Sequence, residues 1–334
     1  MKLTINEIAR IAQVSKGTVS KVINNYPGIH EKTREKVAGI IKQMGYEPNY
    51  SAQSLALKKT GTIGLIIPHS PENSISGAYW SSLVTAVTQE ATQHGYNLSL
   101  LLPKREGALE ELFTSIVRKR QIDGLIIGAE LLDTHCLSIL LYNELPFVML
   151  GKNPDFSHYC VDIDNVAAAR RLTSLMVERG YRKIAFIVGP EEFYYNRDRV
   201  EGYRDAIKAS GLEFSYYSYE RYNESEHTAA LIRKAIEELA PDSLISGAGG
   251  DFMFDCLRGV MDAGKKPPAF GFATFDDYRY LDFTSPGITA VAQPMAKLGE
   301  ESLKLLIRVI KGQGPKELSH ILEASIVERD STRR

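Results

Sequence analysis

Val14-Ser15-Lys16-Gly17-Thr18-Val19-Ser20-Lys21-Val22-Ile23-Asn24 sets Val19, Val22 and Ile23 on one helical stripe and turns Lys16, Gly17, Ser20 and Lys21 away from it. Ser15 is placed to cap that helix. Upstream, Thr4 followed three residues later by Glu7 is a capping box, and Ile5, Ile8, Ala9, Ile11 and Ala12 recur at helical spacing before Gln13-Val14-Ser15 breaks the run. Downstream, a loop with Pro27 and Gly28 leads to a third helix, with Val37, Ile40, Ile41 and Met44 expected inward and Lys32, Arg34, Lys36 and Lys42 solvated, ended by Gly45. Two short helices joined by a tight turn, the second presenting polar residues, make the helix-turn-helix geometry that enters the major groove. An ordinary basic three-helix subdomain shares the same pattern.

Charge distribution favours the first reading. The first sixty residues hold ten Lys and Arg against four Asp and Glu, so a segment of net +6 sits beside 274 residues of net −7. Basic charge is thus segregated where a phosphate backbone could be met. At 334 residues and 44% apolar content, the chain has room for more than one packed core. No apolar run reaches the length of a membrane span, and no export signal is seen, so a cytoplasmic protein is expected. Cys136, Cys160 and Cys256 are far apart and lack metal-site spacing, which points to buried free thiols rather than disulfides or zinc.

Three stretches in order carry a resemblance: Thr4-Ile5-Asn6-Glu7-Ile8-Ala9; the segment from Val14 to Asn24; and Lys32-Thr33-Arg34-Glu35-Lys36-Val37 through Gly45-Tyr46-Glu47-Pro48-Asn49. Together they closely resemble the lactose-repressor (LacI/GalR) family of bacterial regulators. In that family the base-reading side chains map to Lys16, Gly17 and Lys21. The departures matter: Gly17 has no side chain with which to read a base, and Lys21 stands where Arg is usual, so a bidentate grip on guanine becomes a less directional contact. Specificity is then expected to be looser, or shifted to Lys16 and Ser20. Thr18 and Asn24 suit phosphate contacts, and Thr4 and Ser15 complete the head's expected DNA-facing set.

After Pro48, residues 49–57 read as a short helix with Ala52, Leu55 and Ala56 forming a small apolar stripe; two turns alone are marginal in water, so folding on DNA is expected. The resemblance makes Leu55 a minor-groove wedge, with Asn49, Ala52 and Ala56 around it. Packing between two hinge helices is the other reading.

From Gly61 the chain alternates short apolar runs with amphipathic ones. Ile63–Ile67, Leu98–Leu102, Gly124–Ile127 and Phe147–Leu150 read as buried parallel strands separated by helices, and Lys183–Val188, Ser243–Ser246 and Ala269–Phe275 repeat the rhythm. This predicts an α/β protein: an all-α helix-turn-helix head followed by two doubly wound halves, which the resemblance identifies as the two-lobed clamshell of periplasmic sugar-binding proteins. The expected boundaries are 1–46 for the head, 47–60 for hinge and linker, and 61–330 for the core. Within the core the first lobe takes about 61–161 plus 293–322 and the second about 162–292 plus 323–330.

In such sheets ligands bind beyond the carboxyl ends of the strands. Asp276 and Asp277 follow a predicted strand, so at least one carboxylate is expected in the cleft. Ala273-Thr274-Phe275-Asp276-Asp277 and Ala290-Val291-Ala292-Gln293 look especially like the family's fructose- and sucrose-responsive members. The resemblance puts Asp276 and Arg199 on its effector-binding aspartate and arginine, able to bracket adjacent sugar hydroxyls, or else to form a structural ion pair. It also maps Tyr79 and Trp80 onto a paired aromatic position, where core packing is the alternative, and Gln293 onto a cleft residue. Tyr222, Phe193 and Tyr194 are weaker candidates. Gly249-Gly250-Asp251 stands where the family often has Asn-Asp, so an amide contact to effector is expected to be missing, and the effector to differ from common hexoses, phosphorylated or larger.

No catalytic constellation is present. Gly247-Ala248-Gly249-Gly250-Asp251 lacks phosphate-loop spacing, the histidines show no metal-enzyme pattern, and Val161-Asp162-Ile163-Asp164-Asn165 reads as the entry to the second half, with an Asp-Asn pair starting a helix. The resemblance therefore implies a non-enzymatic homodimeric repressor, without cofactor or metal, that binds palindromic double-stranded operator DNA under control of a small metabolite, a sugar or sugar phosphate. A dimer is preferred to a tetramer because no heptad tail follows. Whether ligand releases or recruits the head, and whether a phosphorylated protein co-regulator takes part, stays open; the rival of a pure solute-binding protein fits residues 61–330 alone but is contradicted by the basic head and the missing export signal.

Overall fold

The computed structural model describes residues 3–46, 59–67, 78–105, 107–128, 134–190, 193–213, 216–218, 225–250 and 252–334. It forms two compact units, Met1–Gly61 and Thr62–Arg334.

The first unit holds α1 (Ile5–Ala12), α2 (Lys16–Ile23) and α3 (Glu31–Met44) around a small core of Ile8, Ala9, Ala12, Val19, Val22, Val37 and Tyr46. The capping box closes as expected: the Glu7 carboxylate accepts from Thr4 N at 2.7 Å and Glu7 N donates to Thr4 Oγ1 at 3.4 Å. The bonds the carboxylate accepts from Thr4, the backbone N–H first and then the hydroxyl at 3.0 Å, hold the Glu7 carboxyl below its usual range. Gln13, with φ 55°, ends α1, and Ser15 Oγ accepts from Thr18 N at 3.0 Å to start α2. Two expected core positions differ. Ile11 and Met44 are 41% and 39% exposed, while Tyr46, turned back by left-handed Gly45, packs into the core instead.

The second unit contains two six-stranded sheets. One has the order β11-β5-β4-β3-β1-β2, from Ser319–Leu322, Cys160–Ile163, Phe147–Leu150, Gly124–Gly128, Thr62–Ile66 and Asn97–Leu101, all parallel. The other runs β12-β10-β9-β8-β6-β7, from Ser325–Val327, Thr289–Ala292, Gly271–Phe275, Ser243–Ser246, Ile184–Val188 and Tyr216–Ser218, parallel except for β12. Central strands are buried end to end, as parallel strands covered on both faces must be. β2, read from sequence as buried, is an edge strand and only half-buried.

Helices cover both sheets: α4 (Ala78–Gln93), α5 (Leu109–Lys119), α6 (Thr134–Tyr142) and α11 (Met295–Ile310) with the first, and α7 (Asn165–Glu178), α8 (Tyr194–Ala209), α9 (Ser225–Leu239) and α10 (Phe252–Asp262) with the second. α11 returns from β10 to pack on α4, β3 and β4. All three cysteines are free and buried, and burial pushes the Cys160 and Cys256 thiols up. No helix among the described residues is long and apolar enough to cross a membrane.

Candidate functional site

In the head, α2 displays Lys16, Gly17 and Lys21 to solvent, with Ser20, Thr18 and Asn24 half-buried beside them. Thr4 and Ser15 are occupied as helix caps. Nothing but Ser15 Oγ, at 3.6 Å, approaches the place where a Cβ on Gly17 would stand, so the surface there is open. Beyond α2, Asn25 turns left-handed at φ 54°, and Arg34 of α3 clasps that turn, donating to Asn25 Oδ1 at 2.7 Å and to Tyr26 O at 2.8 Å. Sequence reading had counted Arg34 only as a solvated charge. Asn49, Ala52, Leu55 and Ala56 lie outside the described residues.

In the second unit a polar cluster gathers at the carboxyl ends of parallel strands β6, β8, β9 and β10, where ligands meet doubly wound sheets. Arg199, on α8, is 4% exposed. Its Nε donates to Asn165 Oδ1 at 2.9 Å and its NH1 to the carbonyl of Gly247, just past β8, at 2.8 Å. The guanidinium lies 4.0 Å from the Phe275 ring and 4.8 Å from the Tyr195 ring, an arrangement that fixes its plane. Close helix packing brings it there: a Cβ on Gly202, one turn further along α8, would meet Val166 O of α7 at 2.0 Å. Asp164 caps α7 through Ala167 N at 2.8 Å, which leaves the neighbouring Asn165 buried against Arg199.

Asp276 ends β9 in the left-handed region, φ 67°, a conformation that costs a non-glycine residue about 1 kcal/mol or more. Its carboxylate is held from two sides, by Gln293 Nε2 at 2.5 Å on Oδ1 and Gly250 N at 3.1 Å on Oδ2. The departure at Gly249-Gly250 is part of this geometry. A Cβ on Gly249 would fall 2.2 Å from Asp276 Oδ2, so the glycine leaves room for the carboxylate while a backbone N–H supplies the contact. Asp277, the next carboxylate along the chain, turns instead to Arg329, NH1 to Oδ1 2.8 Å. Among the described residues Arg199 and Asp276 form no ion pair with each other.

Tyr278 lies beside Asp276; burial, then the carboxylate's charge, drives its phenol far up, with a smaller contribution from Tyr79 of the first lobe. Its ring sits 5.3 Å from that of Tyr280, which sits 5.4 Å from Phe254. Tyr79 and Trp80 begin α4 and pack edge to face at 5.4 Å, with Trp80 buried in the core and Tyr79 half-buried against it. Phe193 is buried and stacks on Tyr195, while Tyr222 lies outside the described residues.

The first lobe reaches α8 through Lys152, whose Nζ pairs with Asp198 at 2.6 Å, and through Asp155, which accepts from Tyr194. Burial pushes the Lys152 ammonium down, but Asp198, Asp162 and Asp164 together carry it above the usual lysine value. Asp162, on β5 below this bridge, is pushed up to about 6 by burial, despite accepting from Lys152 N and Ile163 N. Sequence spacing could not find these pairs, because their partners come from the other lobe.

A basic helix-turn-helix head joined to a two-sheet core with a polar cluster at its strand ends defines a ligand-responsive DNA-binding regulator. Comparison with known proteins agrees. Residues 4–49 match the family model for bacterial regulatory proteins of the lacI family, and residues 60–316 that for periplasmic binding proteins and the sugar-binding domain of the LacI family. The chain belongs to the LacI family. It is similar to catabolite control protein A of Streptococcus mutans serotype c, 30% identical over 99% of this chain and 98% of that one, and to the HTH-type transcriptional regulator CelR of Thermobifida fusca, 28% identical over 98% of each. Among solved structures, a CelR–cellobiose complex matches with TM-score 0.74 at 26% identity, covering 98% of this chain and 99% of that one. The lac repressor dimer bound to operator and the anti-inducer ONPF matches in fold with TM-score 0.83 at 23% identity, covering 99% of each.

Proposed function

We propose that the protein is a homodimeric transcriptional repressor, acting in the cytoplasm, whose operator affinity is set by a sugar bound between its two lobes. The observation that carries this reading is the convergence of Arg199, Asn165, Gly250, Asp276 and Gln293 at one sheet edge, with aromatic rings on either side. Arg199 spends only part of its five-donor fork on Asn165 and Gly247, and each Asp276 oxygen keeps a lone pair, so a donor and an acceptor remain for adjacent hydroxyls. Lys152, which reaches α8 from the first lobe, is already paired with Asp198, which favours an uncharged sugar over a phosphorylated one. Exposed Lys16 and Lys21 suit phosphate and base-edge contacts, and two identical heads imply a two-fold operator. The contacts from α8 to the first lobe support a mechanism in which ligand shifts a population of lobe arrangements, and reciprocity requires operator DNA to change sugar affinity by the same factor.

Selecting duplexes from a randomised library with full-length protein tests the DNA half, since a two-fold motif is expected and no enrichment would count against it. Calorimetric titration with fructose, sucrose and cellobiose tests the other half. Asp276→Ala and Arg199→Ala should each weaken the sugar that binds by about 100-fold while the selected motif is still bound. Loss of both activities would assign these residues to folding.

A further inference from the structure

We propose that Arg329, in the C-terminal tail, is a positioning residue for the site: it fixes the loop that presents Asp276 and the Tyr278–Tyr280 aromatic wall. The proposal rests on Asp276 being a ligand contact.

Asp276 holds a left-handed backbone that only its surroundings can enforce. Gln293 and Gly250 hold the side chain, but neither holds the chain that follows. That chain runs through Asp277, the short helical turn Arg279–Asp282 and on to Ile288 before re-entering the sheet as β10. Arg329 meets it at its beginning, middle and end. Its NH1 lies 2.8 Å from Asp277 Oδ1, its Nε donates to Asp282 Oδ1 at 2.5 Å, and NH1 also donates to the Ile288 carbonyl at 2.8 Å. The side chain is only 12% exposed, so water screens these contacts weakly. Burial pushes the guanidinium down, yet Asp277 and Asp282 more than offset it and leave Arg329 above its usual value.

The tail is built to deliver this side chain. β12 pairs antiparallel with β10, and beyond it Ser331 and Thr332 are fully buried. Ser331 Oγ donates to Phe272 O of β9 at 2.6 Å and accepts from Thr289 N of β10 at 2.9 Å; the Thr332 and Thr289 hydroxyls meet at 2.7 Å; and Arg329 N donates to Thr289 Oγ1 at 2.9 Å. The backbone on both sides of Arg329 is therefore anchored to the two strands whose ends carry Asp276 and Gln293. A guanidinium suits the position because its planar fork reaches two carboxylates and a carbonyl at once, which a lysine ammonium on a flexible stem does less well. Arg329 touches no ligand in this account. It acts through Asp277 and Asp282, so that a residue near the end of the chain sets affinity at the cleft.

The test uses full-length Arg329→Met and Arg329→Lys with two readouts. Hydrogen exchange without ligand should show amides of residues 278–283 exchanging at least about tenfold faster in Arg329→Met, less so in Arg329→Lys, with β6 and β8 unchanged. Titration with whichever of fructose, sucrose and cellobiose binds the wild type should show about tenfold weaker binding in Arg329→Met and partial rescue by Arg329→Lys. Unchanged exchange in 278–283 overturns the proposal. So does uniform acceleration across the second lobe with a matching fall in melting temperature, since that is a purely structural role. Should Asp276→Ala leave sugar affinity intact, the ligand reading of Asp276 falls, and the loop-ordering role of Arg329 still stands or falls on exchange alone.

Discussion

The two lobes share a plan and differ in chemistry. Each is a six-stranded, doubly wound sheet in the same spatial order, differing in that the last strand, β11, runs parallel in the first and its counterpart β12 antiparallel in the second. At the strand ends the second lobe supplies Arg199, Gly250 and Asp276, with Gln293 beside them at the crossing just past β10, whereas the first supplies the Tyr79–Trp80 pair and the cross-lobe partners Lys152 and Asp155. The duplicated scaffold fixes where strands end, and the residues just past each end decide what the edge can do. On the proposed reading, one lobe fixes a ligand by direction and the other by surface and by latching.

A pair of glycines tests how far the shared plan reaches. Gly202 joins α8 to α7 in the second lobe, and Gly299 joins α11 to α4 in the first. An added Cβ at Gly202 would meet the Val166 carbonyl at 2.0 Å, which is backbone and cannot step aside; at Gly299 it would meet Ala86 Cβ at 2.6 Å and Val87 N at 3.0 Å. Gly202→Ala should therefore cost about 3 kcal/mol or more, and Gly299→Ala about 1–2 kcal/mol. Pairing Gly299→Ala with Ala86→Gly should recover much of the loss. Equal costs in urea melts would mean that both helix pairs relax alike.

The crossing between lobes gives a second test, in pH. The Asp162 carboxyl is pushed from 3.8 to about 6 on folding, chiefly by burial. The folded protein thus holds this proton more tightly than the unfolded chain, so the contribution of Asp162 favours folding below about pH 4 and is lost as pH rises through 6. The difference is on the order of 3 kcal/mol. Asp198, Asp164, Lys152 and Arg199 are the charged groups around it, and all of them stay in Asp162→Asn. Denaturation midpoints between pH 4 and pH 7 should then rise with pH more in Asp162→Asn than in the wild type. Parallel profiles would show the carboxyl to be hydrated and unshifted.

The head was legible because its signals are local. Capping boxes, left-handed caps and helical spacing act within a few residues, and misplacing Ile11 and Met44 changed no helix. β1, β3, β4, β6, β8 and β9 were legible for a related reason, since each is a short apolar run. β5, β7, β10, β11 and β12 were not read as strands: they are three or four residues long, β5 and β10 carry Asp162 and Thr289, and β11 and β12 carry Ser, His and half-buried side chains. At the site, Asp276, Arg199 and Gln293 could be nominated from their immediate sequence contexts. What holds them could not, because Asn165 lies 34 positions from Arg199 and Gly250 lies 26 from Asp276 and contributes a backbone N–H that no residue type announces. The resemblance nominated Asp276 over Asp277, but the partner that claims Asp277 could not be read, as the tail arginine follows much later.

The smallest expected effect bears on the aromatic side of the comparison. If the first lobe contributes surface rather than direction, Tyr79 acts through its ring. Tyr79→Phe should leave sugar affinity within about twofold, and Tyr79→Ala should weaken it by about fivefold, near 1 kcal/mol, the scale of one aromatic contact. Trp80 is the chain's only tryptophan and sits 5.4 Å from Tyr79, so its fluorescence reports on both variants directly. A large loss in Tyr79→Phe would mean that the hydroxyl binds as Asp276 does. The first lobe would then share the directional chemistry assigned here to the second, and the contrast between the lobes would reduce to one of charge.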